Sequence, residues 1–169
     1  LVLATVTDTG SLGFTSSDQT EGAGFGPAGA NGLYVGSFWG GASVSYVCNH
    51  DYAEGGNVYD WRTVTAPNGR MADLGTVYAD QNYRGIYNDS GNVVPRSITV
   101  TQESFAFADA PNDDFVILRY TVHNGAATTL SNYYTGIFCD FDIDYSALNR
   151  GAVDASRRLT YMYPDGGGN

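Results

Sequence analysis

The chain has 169 residues, enough for one domain with a sizeable core. Its net charge is −10 and it holds no lysine, so nothing offers a basic patch to nucleic acid or to an anionic membrane. That leaves cations, neutral glycans and other proteins as partners, and no stretch is long or apolar enough to insert in a membrane as a helix.

The 13 tyrosines and 22 glycines, with abundant Ser, Thr and Asn and few helix formers, indicate an all-β domain with long turns. LVLATVTDTGSLGF (1–14) reads as a hairpin turning at Asp8-Thr9-Gly10. Residues 15–32, including GAGFGPAGANG, read as a long loop. GLYVGSFWG (32–40) and ASVSYVCN (42–49) read as two strands with a turn at Gly40-Gly41. A polar segment around Trp61 follows.

NVVPRSITVTQESFAFA (92–108) contains a long strand. Ile98 and Val100 oppose Phe105 and Phe107 in parity, which predicts a bulge near Gln102–Ser104. FVILRYTVHN (115–124) puts Val116, Leu118, Tyr120 and Val122 on one face. SNYYTGIFCDFDID (131–144) returns, with Ile137, Cys139, Phe141 and Ile143 on one face and Phe138, Asp140, Asp142 and Asp144 on the other. RLTYMY (158–163) is the last strand. No helical periodicity is present, and the pattern predicts one antiparallel β-sandwich of about eight to ten strands over residues 1–169. No signal peptide is visible. The chain reads as a mature or excised piece whose domain continues past Asn169.

Cys48 and Cys139 have two readings: a disulfide, which would place the protein in an oxidising compartment, or two buried free thiols. The D-x-D-x-D spacing at 140–144 suggests Ca2+, with Asp140, Asp142 and Asp144 on one sheet face and Asp154 coming from a following loop. It is not an EF-hand, because Tyr145 and Gly151 stand where that loop needs Gly and Glu. The alternative is a solvated acidic strand face. Trp39 and Trp61 are candidates for stacking on glycans, against a core-filling reading that the parity of Trp39 favours. His50 and His123 are the only histidines, and neither G-x-S-x-G nor H-E-x-x-H occurs, so the sequence points away from an enzyme.

Three stretches together carry a resemblance: GLYVGSFWGGASVSYVCN, FVILRYTVHNGAATTLSNYYTGIFCDFDID and VDASRRLTYMYPDG. They resemble an accessory β-sandwich region of large secreted bacterial multidomain proteins, often beside a subtilisin-like protease or a C-terminal sorting domain. Asp140, Asp142 and Asp154 match the acidic positions of that pattern. The resemblance implies an extracellular or cell-surface, non-catalytic module. Such a module contacts neighbouring domains or identical subunits, with glycan binding as the alternative.

Overall fold

The structure is a computed structural model that describes residues 1–16, 18–27, 32–51, 58–65, 67–143 and 146–165. The first half of the chain contributes β1 (Val2–Ala4), β2 (Ser11–Leu12), β3 (Phe25–Pro27), β4 (Leu33–Ser43), β5 (Tyr46–Cys48), β6 (His50–Asp51), β7 (Val58–Tyr59), β8 (Arg62–Thr63) and β9 (Ala72–Asp73). The long strands follow: β10 (Gln81–Asn88), β11 (Ile98–Ala106), β12 (Val116–Asn124), β13 (Tyr134–Phe141), β14 (Asn149–Asp154) and β15 (Leu159–Pro164). One 3-10 turn, Ser146–Leu148, is the only helical element among the described residues.

The fold is all-β and sandwich-like, and its strands pair antiparallel. One sheet runs β12-β11-β10-β8, with β9 also on β10. The other runs β13-β4-β2, with β5 also on β4. These two sheets hold nine strands, within the predicted eight to ten, and three two-stranded ribbons lie outside them. The core fills the space between the sheets. β4 and β5 supply Phe38, Tyr46 and Cys48; β10 and β11 supply Tyr87, Ile98 and Val100; Trp61 enters from just before β8. Phe38 is the hub, with its ring 5.9 Å from Trp61, 6.3 Å from Tyr87 and 4.6 Å from Tyr120.

The structure redraws three of the expected elements. β1 pairs with β3, inside the Gly-rich loop, and only the bridge Val6↔Leu12 closes the expected first hairpin. Gly40-Gly41 is no turn, because β4 runs straight through it and turns at Val44-Ser45. The glycines are there for close approach. A Cβ on Gly41 would lie 2.7 Å from the Tyr46 carbonyl oxygen, and one on Gly40 would overlap the Tyr133 hydroxyl. β11 contains no bulge, since its register with β10 and β12 is unbroken. Its two apolar parities are both covered: Ile98, Val100, Gln102 and Ser104 are buried between the sheets, and Phe105 lies under Tyr78 and the Arg119 guanidinium on the other face.

Candidate interaction surface

The candidate site residues scatter. Trp61 is fully buried, and its indole nitrogen donates to the Phe38 carbonyl at 2.9 Å, so it is a core residue and offers no face to a glycan. Trp39 points to the opposite face from Phe38. It is half-buried, donates to the Ser37 hydroxyl at 2.8 Å and packs on Phe138 with ring centres 5.4 Å apart.

Cys48 and Cys139 are free thiols. The register explains why: Cys48 stands opposite Gly40 and Cys139 opposite Gly36, on different neighbours of β4 and four positions apart along it. That offset alone is about 13 Å, against the roughly 7 Å limit between bridged Cα atoms. Burial pushes the Cys48 thiol up to about 12, and burial raises Cys139 as well, so neither is a ready nucleophile.

The aspartates separate by role. Asp140 is exposed on the outward face of β13, as its parity predicted, and Asp142 donates its backbone N–H to the Gly32 carbonyl at 2.9 Å just past the strand. Asp144 lies outside the described residues. Asp154 is occupied in its own turn: its carboxylate accepts from the Ser156 hydroxyl (2.6 Å), the Ser156 and Arg157 backbone N–H groups (3.0 and 3.1 Å) and the Arg157 guanidinium (3.2 Å). The Ser156 hydroxyl is the main cause that holds its carboxyl below the usual range. Among the described residues no three His, Cys, Asp or Glu side chains converge as metal ligands.

His50 is committed locally too. Its Nδ1 hydrogen-bonds the Trp61 carbonyl at 2.9 Å, while the nearby Ser11 hydroxyl donates to the His50 backbone carbonyl at 2.7 Å rather than to a ring nitrogen. Sequence reasoning missed one buried acidic side chain that organises the core. Asp89 accepts from the Tyr46 hydroxyl at 2.7 Å and from the Ile98 backbone N–H at 3.1 Å. Only its turn sequence, Asn88-Asp89-Ser90-Gly91, hinted at it.

Exposed apolar side chains accumulate beyond the core. Every described residue that is fully buried lies at or before Phe105. Beyond it β12–β15 keep Ile117, Tyr134, Ile137, Phe138, Val153 and the tyrosines of β15 exposed. Among the described residues β12 and β13 are the outer strands of their sheets, and β14 and β15 pair only with each other. On the outer face of β4 and β13 a groove of about 490 Å³ runs between Trp39 and Tyr134 over Gly40, Gly41 and Gly136. Ser43 and Thr135 are the only polar side chains in its lining apart from the rims of its two aromatics. Such a groove suits an apolar or aromatic side chain better than a sugar, whose hydroxyls need partners. Comparison with protein-family models, with curated proteins and with solved structures finds no match.

Proposed function

We propose that this chain is a non-catalytic interaction module of a secreted or cell-surface protein, and that it docks other protein through β12–β15. One observation carries the reading: four regular strands hold large apolar side chains, yet no described residue after Phe105 is fully buried. Full burial of one such side chain contributes about 1.5–3 kcal/mol, so a partner that covers several of them gains a large driving force. The contiguous part, Trp39, Tyr134 and Phe138 around Gly136 on the outer face of β4 and β13, is the kind of apolar patch that marks interaction sites, and the outer edge of β13 adds main-chain donors and acceptors to it. The extracellular setting rests on the strand resemblance alone, because the unpaired cysteines lend it nothing.

The test is a photo-crosslinking residue placed in the intact chain at Tyr134 or Tyr161, with Val93, a still more exposed position of the core-forming region, as control. Protein adducts should form from Tyr134 and Tyr161 and not from Val93. Adducts from none of them, or from all three alike, would remove the reading. A second reading, glycan stacking on Trp39, draws on its aromatic groove with Tyr134. It predicts a glycan-array signal that Trp39→Ala abolishes, and a blank array would end it.

A further inference from the structure

The outer face of β13 carries a slot. Gly136 is its floor, and a Cβ built there would meet nothing within 4 Å. Trp39, opposite Gly136 in the register, and Phe138 wall one side, and Tyr134, 73% exposed, walls the other. Asp140 continues the same face, with Asp142 just beyond. Among the described residues β13 pairs along one edge only, with β4, which leaves its other edge open to a further strand.

The β14–β15 hairpin presents the complement. Leu159, Tyr161 and Tyr163 alternate onto one face, each 43–47% exposed, with the two tyrosine rings 5.9 Å apart. Among the described residues no other strand pairs with either edge of the hairpin. Residues 149–163 hold three arginines, Arg150, Arg157 and Arg158, against one acid, Asp154, within a chain of net charge −10. Arg157 pairs with Asp154 and Arg150 with Asp165, whereas Arg158 has no acidic partner among the described residues. The hairpin is tied at its root: Asn149 Nδ2 donates to the Phe141 carbonyl at 2.9 Å and Asp165 N–H to the Leu148 carbonyl at 2.7 Å.

Spacing and charge agree. Tyr161 lies three residues from Arg158, and Gly136 lies four from Asp140. Gly136 to Asp140 spans roughly 13 Å along β13, and Tyr161 to Leu159 about 7 Å along β15 at about 3.3 Å per strand residue, with Arg158 one residue further, in the turn, where its long side chain adds the remaining reach. A tyrosine seated over Gly136 therefore carries the arginine tip to the aspartates. The geometry points to a second copy of this chain as the occupant: the hairpin of one copy lies along the free edge of β13 in another, with Tyr161 in the slot and Arg158 beside Asp140 and Asp142. The inference rests on the docking reading above and names its partner. Donor and acceptor are different patches, so each copy both gives and receives, and association either closes as a reciprocal pair or extends as a chain.

Sedimentation of the purified full chain over a concentration series tests it. The wild type should gain mass as concentration rises. Gly136→Val fills the slot where there is room for the new side chain, so it should keep the melting temperature and weaken association tenfold or more. Arg158→Glu and Asp140→Arg should each weaken it as much, and an equimolar mixture of those two variants should restore it. A wild type that stays monomeric throughout, undiminished association of Gly136→Val, or a mixture that fails to recover would each overturn the inference. Crosslinks from Tyr161 to a different protein, with the purified chain monomeric, would remove the second copy and leave the docking reading standing. No crosslinks and no association would remove both.

Discussion

β11 and β13 are both regular antiparallel strands with alternating apolar side chains, and they meet different fates. In β11 every inward side chain from Ile98 to Ser104 is buried, and even the outward Phe105 is covered. In β13 the inward Ile137 stays 45% exposed and the outward Tyr134 73% exposed. The alternation is the same; the neighbours differ. β11 lies between β10 and β12, beneath Phe38 and Trp61, whereas β13 has β4 on one side and nothing described on the other. The contrast extends to the regions they belong to. Residues up to Phe105 own the core, and the strands beyond lean on it through Tyr120, Val122, Leu130 and Tyr133 without closing a core of their own. Strand pattern decides which face is apolar; topology decides whether that face is covered.

The sharpest way to break the comparison is a matched pair of truncations. Trp61→Ala removes a fully buried ring from between the sheets and should cost about 3–5 kcal/mol. Tyr161→Ala removes a ring of similar kind from the uncovered hairpin and should change stability by no more than about 0.5 kcal/mol in dilute solution. Denaturant unfolding of both variants decides it, and equal losses would mean the hairpin is not a separate, uncovered unit. Next in size is Asp89→Ala. It leaves the buried Tyr46 hydroxyl and the Ile98 N–H without their acceptor, a loss of roughly 2–3 kcal/mol by the same measurement.

A smaller effect comes from pH. Burial, aided by Arg62, holds the His50 imidazolium below its ordinary value of 6.5. The unfolded chain therefore takes up the proton first. The His50 contribution is full above pH 6.5 and falls as pH drops below it. Asp51 and Asp60 lie close enough to oppose this by favouring the cation, and Asp60, itself raised by burial, opposes it again as it takes up a proton. Thermal melts should thus lose stability between about pH 7 and 5, and His50→Asn, which keeps a donor near the Trp61 carbonyl, should flatten that slope. An unchanged slope would place the titration elsewhere. Calcium should do least. With the Asp154 carboxylate already filled by Ser156 and Arg157, melts in millimolar calcium and in EDTA should agree within about 1 °C. A calcium-dependent rise that Asp142→Asn abolishes would make Asp140 and Asp142 ligands.

The sequence shows clearly which way side chains point. The two faces of β13 follow its period-2 pattern: Cys139 turns to the core side and Asp140 to solvent. Glycine was less legible. Gly40 and Gly41 have the look of a turn, but the reason for them, the Tyr133 ring and the Tyr46 backbone packed against β4, lies far off or across a register that sequence does not print. The bulge predicted in β11 had the same origin: a second apolar parity reads as an irregularity until Tyr78 and Arg119 are seen to cover it. The Gly136 slot was invisible for a related reason, since its walls come from β4 as well as β13. Trp39 and Trp61 look alike in sequence; the register of β4 turns one to the outer face, and the segment before β8 carries the other to the centre.

Hydrogen exchange read strand by strand, at low and at high protein concentration, tests the division of the molecule most directly. In dilute solution amides of β4, β10 and β11 should exchange only through global unfolding, while those of β14 and β15 exchange orders of magnitude faster through local opening. At high concentration the hairpin and the outer edge of β13 should become protected together, and β10 and β11 should not change. Protection of β14–β15 equal to that of β11 in the dilute chain would contradict the account, because it would mean that the C-terminal strands already have their cover.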